Sequence, residues 1–221
     1  LPNNSAPYTS IIVFVVRRDN PKRVADWSDL IRDGVAVVAA DPKTSGGARW
    51  SYLAAWAYAR RSSGNDAATR AFMQRLYAHT TSLDVSVRGS RERFVSGEGD
   101  VLLSWENEAQ VLSQSSEYEI VRPSLTIRAE PAIALIDAHT QNPDVRSGAE
   151  AYLRFLYTLE GQTIIARNYY RPFDASVIAS NASRFPGVPF VTIGDAFLSW
   201  QDAYAVHFRD GGVFDQIRGK P

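Results

Sequence analysis

The segment Thr44-Ser45-Gly46-Gly47-Ala48-Arg49-Trp50 joins a β-branched apolar run, Val35 to Ala40, to a strongly helical one. Strand, glycine turn and helix start together place unpaired helix amides at the positive end of a dipole. Gly46, Gly47 and Ala48 there offer amides to one oxyanion, and Ser45, in the N-cap position, adds a hydroxyl. No lysine completes the turn, so the GxxxxGK[ST] pattern is unmet and a nucleoside triphosphate loop is disfavoured. Neutral donors of this kind suit a small anion. By itself, a glycine turn before a helix is also ordinary punctuation between two elements. Arg88-Gly89-Ser90, with Arg91 and Arg93, is a second candidate anion locus, which read alone is equally a solvated helix face.

Other chemistry is thin. His79, His139 and His207 are far apart and lack metal-ligand spacing, so no metal site and no cofactor are expected. Glu106 and Glu108 stand two apart beside Trp105, a spacing open to acid and base work or to ion pairing with arginines. No GxSxG elbow, SxxK or kinase-type set is present, and no general base is evident for Ser45. The chain contains no cysteine, which removes disulfides, thiolate metal sites and cysteine nucleophiles. Lysine plus arginine equals aspartate plus glutamate at 24 each, so nothing global favours nucleic acid, and any anion site must be local. No apolar run reaches the length of a membrane span.

These residues need elements to hold them. Ser10 to Val16 reads as a strand buried on both faces, of the kind found in parallel sheets, and Val35 to Ala40 as another. Helical periodicity runs over Ala48 to Arg61 and Ala67 to Tyr77, with a short helix over Gly89 to Val95. Val101 to Trp105 reads as a strand, Glu108 to Ser113 as helix, Tyr118 to Val121 as extended, and Leu125 to Ile136 as a long strand or strand pair. Ala149 to Leu159, Gly161 to Tyr170, Asp195 to Phe208 and Val213 to Ile217 complete a mainly helical remainder. The alternation predicts an α/β architecture with a mainly parallel sheet.

Taken together, Leu1-Pro2-Asn3-Asn4-Ser5-Ala6-Pro7-Tyr8, Thr44 to Trp56, Arg88-Gly89-Ser90, Gly99-Asp100-Val101-Leu102, Trp105-Glu106-Asn107-Glu108-Ala109, Glu160-Gly161-Gln162-Thr163 and Asn168-Tyr169-Tyr170-Arg171-Pro172 closely resemble the periplasmic sulfate-binding proteins of bacterial ABC transporters. The resemblance covers essentially the whole chain. It implies a type II periplasmic binding protein-like fold, two α/β lobes with mainly parallel sheets closing over one dehydrated sulfate. Family members carry further sequence ahead of the Leu-Pro-Asn-Asn motif, so one lobe is expected to be incomplete: residues 1–104 and 168–221 form one lobe and 105–167 a remnant of the other. A chain so shortened is expected to bind more weakly or to expose apolar surface.

The resemblance further implies ligand contacts from the Ser45 hydroxyl and amide, the Gly46, Gly47 and Val87 amides and the Trp105 indole N–H, with Arg88 and Ala48 steering or supporting. At Val87 the family usually carries alanine, and the larger side chain is expected to crowd the ligand. The stretch from Val87 to Trp105 is one residue shorter than in the family, at the Ser96-Gly97 turn. Sulfate is the implied ligand and a membrane permease the implied partner, for a monomeric periplasmic protein that neither inserts in the membrane nor binds nucleic acid. Thiosulfate, through a related group of receptors, is the nearest alternative, with molybdate and tungstate receptors more distant. The rival of another class is an enzyme acting on a sulfated or phosphorylated small molecule, with Ser45 as nucleophile or Glu106 and Glu108 as acid and base.

Overall fold

A computed structural model describes residues 1–219. Its contacts divide the chain into two compact units. One combines Leu1–Ser10 with Ala129–Gly187; the other combines Ile11–Arg128 with the segment from Val188 onward. The sequence reading places the divisions at 104/105 and 167/168, whereas the units separate at 10/11, 128/129 and 187/188. The chain stays with the large unit past Trp105 because the strand over Tyr118–Val121 pairs with the first strand of that sheet.

The large unit is built on β1 (Ser10–Arg17), β2 (Val37–Ala40), β3 (Thr80–Asp84), β4 (Val101–Trp105), β5 (Tyr118–Val121), β6 (Thr126–Ala129) and β7 (Phe190–Val191). Among the described residues these form one sheet in the order β3-β2-β4-β1-β6-β7, with β5 paired to β1. β2 runs parallel to β3 and to β4, and β6 parallel to β7. β1 pairs antiparallel with β4 and β5 and also neighbours β6, so its double burial reflects a central position in a mixed sheet.

Helices cover both faces of that sheet. Ile12, Phe14 and Val16 of β1 face a core shared with α1 (Gly46–Ser63) and α2 (Asp66–Ala78). Ile11, Val13 and Val15 face a second core with Phe94 of α3 (Val87–Val95) and with Ala109 and Leu112 of α4 (Glu106–Leu112). Alternate side chains of a strand point to opposite faces, which is why one uninterrupted apolar run supplies both cores.

The smaller unit carries α5 (Pro143–Phe155), α6 (Leu159–Arg167) and α7 (Ala175–Ser180). Buried Gln162 organises it: its amide nitrogen donates to the Pro7 and Leu156 carbonyls, and its oxygen accepts from the Phe173 and Asp174 amides. Thr9 and Arg171 exchange backbone hydrogen bonds of 3.0 and 2.9 Å. α5 buries none of its residues, and Val145 and Tyr152 on it are exposed.

Two expectations change. Leu125 to Ile136 contributes only the four-residue β6, and the chain beyond it is irregular to Ile136. Asp195 to Phe208 is not one helix but α8 (Ile193–Phe197), a break at Leu198 with φ 65°, α9 (Trp200–Ala203) and a π-helical turn over Tyr204–Phe208. Beyond it, α10 (Val213–Ile217) ends the described elements. No helix among the described residues is long and apolar enough to cross a membrane.

Candidate functional site

Three neighbouring parallel strands, β3, β2 and β4, each run directly into the N-terminus of a helix. β2 leads through Asp41 to Ser45 into α1, β3 through Val85 and Ser86 into α3, and β4 straight into α4, with Trp105 as N-cap. Because the strands point the same way, the three helix starts lie at one edge of the sheet, where open α/β sheets receive ligands.

Gly47 marks the meeting point. A Cβ there would stand 2.9 Å from Cγ2 of Val87, 3.2 Å from Nε1 of Trp105 and 3.8 Å from Oγ of Ser45. The structure therefore brings Ser45, Gly47, Val87 and Trp105 together, although they span 61 positions of the sequence from first to last. The close approach requires glycine at position 47. Gly46 beside it is exposed, with open space where its Cβ would be.

Not every expected donor faces outward. The Ser45 amide donates to the Asp41 carbonyl at 2.9 Å, and the Ala48 amide donates to Ser45 Oγ at 3.3 Å, as an N-cap requires. The first-turn amides of Gly46 and Gly47 precede the helix's own hydrogen bonds, and the Ser45 hydroxyl, accepting from Ala48, keeps its hydrogen to donate. At α3, Ser86 caps the Gly89 amide at 2.9 Å and leaves Val87 in the first helical position. Ser86 and its capping role went unread in the sequence; a serine three residues before Gly89 was the available signal.

The turns are fastened to one another. The Asp41 amide donates to the Asp84 carbonyl at 2.7 Å, and the Thr44 hydroxyl donates to the Val85 carbonyl at 3.0 Å, linking the β2–α1 and β3–α3 connections. The Asp84 carboxylate accepts from Arg93 and from the Ser86 amide, and these bonds hold its carboxyl below the usual carboxylate range. Trp105 is half-buried, with Trp50 edge-on at 5.9 Å between ring centres and Trp200 against Trp50 at 4.7 Å.

Nearby charges are largely engaged elsewhere. Lys43, just before the turn, donates to Asp215 and Asp210 and to the Phe208 and Arg209 carbonyls. Its bond to Asp215 leads in raising its pKa. Arg49 donates to the Pro42 carbonyl and lies over the Tyr204 ring. Arg88 is exposed beside Val87. Glu106 is fully buried and paired with Arg122 at 3.1 Å, while Glu108 meets Arg91 at 3.4 Å. Of the two readings of that carboxylate pair, the geometry is that of ion pairing. Among the described residues, no group of three histidine, aspartate or glutamate side chains is placed to hold a metal ion.

Comparison with known proteins gives this arrangement a context. Residues 2–171 match the model of the bacterial extracellular solute-binding proteins. A sulfate-binding protein of Escherichia coli K12 is 49% identical over 98% of this chain and 68% of its own length. A thiosulfate-binding protein of Pseudomonas aeruginosa is 43% identical over 98% of this chain and 67% of its own. The solved structure of the sulfate-binding protein SubI from Mycobacterium tuberculosis H37Rv superposes with a TM-score of 0.81 at 33% identity, covering 91% of this chain and 69% of that one. With the α/β fold of the type II periplasmic binding proteins and nearly its whole length matched, this chain belongs to the bacterial extracellular solute-binding proteins, among their sulfate- and thiosulfate-binding members.

Proposed function

We propose that the chain captures sulfate in the periplasm and presents it to the membrane permease of an ABC transporter, acting as a receptor and not as an enzyme. The observation that carries this reading is the convergence of Ser45 Oγ, Gly47, Val87 and Trp105 Nε1 at one sheet edge. The Gly46, Gly47 and Val87 amides, the Ser45 hydroxyl and the Trp105 indole are the proposed donors, with exposed Arg88 steering the anion. Trp105 suits a sulfate cage because an indole N–H donates and cannot accept. Sulfate near neutral pH carries no proton, so a cage of donors leaves none of its oxygens in conflict. Phosphate retains a proton there, and burying that O–H against N–H groups leaves a donor unpaired.

Uncharged donors suffice energetically. Hydrogen bonds to an ion contribute roughly 1.5–3 kcal/mol each. Four or five of them reach micromolar affinity, about −8 kcal/mol, after desolvation and ordering are subtracted. The engagement of Lys43 by Asp210 and Asp215 and of Glu106 by Arg122 supports a site whose field comes from helix amides.

Titration calorimetry with sulfate, thiosulfate and phosphate tests the proposal. Sulfate is expected to bind with an affinity that is flat across neutral pH, phosphate to bind much more weakly, and Ser45→Ala to weaken sulfate. Thiosulfate is the second reading, favoured by the thiosulfate-binding relative, and tighter binding of thiosulfate than sulfate would select it. Turnover of a sulfate or phosphate ester that Ser45→Ala abolishes would overturn the receptor reading.

A further inference from the structure

Side chains of an α-helix tilt toward its N-terminus, so the Cβ direction at Gly47, in the first turn of α1, leads into the space its amides face. The two nearest groups in that direction are the Trp105 indole nitrogen at 3.2 Å and the Val87 Cγ2 methyl at 2.9 Å. The first is polar and suits an anion. The second brings no hydrogen bond, yet it is the nearer of the two. Val87 is half-buried and is the first residue of α3, where its own amide is among the proposed donors.

We propose that the Val87 side chain sets the size of the anion that the site admits, its γ-methyl closing the wall between Gly47 and Trp105 so that sulfate is preferred over larger tetrahedral anions. The inference rests on the receptor reading above and deepens it. The amide of residue 87 is the same in any substitution except proline, so a change of side chain alters the room in the site without removing the donor. The carrier of the wall is also stiff: valine is β-branched, with one strongly preferred rotamer in a helix, so the methyl does not swing aside freely. Close-packed walls respond to a single methyl group. Thiosulfate replaces one oxygen of sulfate by sulfur, which has a larger radius and a longer bond to the centre and is a weaker hydrogen-bond acceptor. Selenate keeps four oxygens and lengthens every bond. The pair therefore separates size from acceptor chemistry.

The test measures dissociation constants of sulfate, selenate and thiosulfate for the full chain and for its Val87→Ala and Val87→Ile variants. Val87→Ala is expected to move both the selenate-to-sulfate and thiosulfate-to-sulfate preferences toward the larger anion by about tenfold, the scale of one methyl-sized change in a pocket wall. Val87→Ile is expected to move both the other way, and it serves as the independent arm if the alanine variant melts too low to titrate. Unchanged ratios in a protein that binds sulfate would overturn this inference and leave the receptor reading standing. A shift for thiosulfate without one for selenate would also overturn it, because the methyl would then act on sulfur chemistry and not on size. A wild-type chain that binds none of the three anions would overturn the receptor reading, and this inference with it.

Discussion

At residue 47 the absence of a side chain is itself functional. Any Cβ there enters the space in front of α1 and meets Val87 and Trp105. The backbone at Gly47 is helical, so alanine is conformationally permitted, and by helix propensity alone Gly47→Ala stabilises by up to about 1 kcal/mol. Stability and binding should therefore separate in this variant. The approach of that Cβ to the stiff Val87 methyl offsets this gain, so the melting temperature is expected to change little while sulfate affinity falls roughly tenfold to a hundredfold, the equivalent of losing one hydrogen bond to the ion at ~1.5–3 kcal/mol. Calorimetry and a thermal melt on the same preparation check it; retained affinity would place the anion somewhere other than against Gly47. Ser45 illustrates a subtler division of labour at the same scale. Its amide closes the Asp41 turn and its hydroxyl oxygen caps Ala48, which leaves the hydroxyl hydrogen for a ligand.

Elements set what those residues can reach. The β3–α3 connection depends on Gly89, where a Cβ would overlap the Asp84 carboxylate that accepts from Ser86 and Arg93. Gly89→Ala should expel that carboxylate and loosen the start of α3, at a cost on the order of 1–3 kcal/mol for overpacking. Adding Asp84→Ala should recover part of the loss, because the clash partner is gone; a double-mutant cycle by thermal melting measures the coupling, and strictly additive effects would refute it. Much of this architecture is legible in the sequence. The apolar runs of β1, β2 and β4 and the periodicity of α1 and α2 mark themselves, because each buries a continuous surface. β3 does not. Thr80-Thr81-Ser82-Leu83-Asp84 is an edge strand with only Ser82 buried, so it carries no hydrophobic signature and its position comes from pairing with β2. The break at Leu198 is hidden for a different reason, since leucine seldom adopts a positive φ and nothing local announces it. The glycine turn was visible as an anion locus from residue types alone. Its neighbours Val87 and Trp105 are legible only through family resemblance, because their approach to Gly47 depends on the strand order β3-β2-β4, a non-local fact.

On the scale of the whole molecule, the C-terminal stretch returns to cover α1. Phe197, Ala203, Phe208, Val213, Phe214 and Ile217 enter the same core as Tyr52, Leu53 and Met73, and Lys43 fastens the loop before α1 to Asp210 and Asp215. At the centre of that cover, His207 is 4% exposed and its Nδ1 lies 2.9 Å from the Tyr52 hydroxyl. Burial raises the Tyr52 pKa well above its ordinary value, so the phenol stays protonated and shares a hydrogen bond with the neutral imidazole. Burial, assisted by the charge of Arg70, takes the His207 pKa from 6.5 down to about 4. The unfolded chain consequently binds a proton at this position at pH values where the folded chain does not. Stability carried by the neutral histidine is complete above about pH 6.5 and is lost progressively as the pH falls toward 4. The full difference is on the order of 3 kcal/mol. His207→Gln keeps a neutral hydrogen-bonding group that can donate to or accept from Tyr52 and removes the titration, so its melting temperature should decline less steeply than that of the wild type across this window. Wild-type and variant curves that stay parallel from neutral pH into the acid range would show that His207 does not link protonation to the attachment of the C-terminal cover.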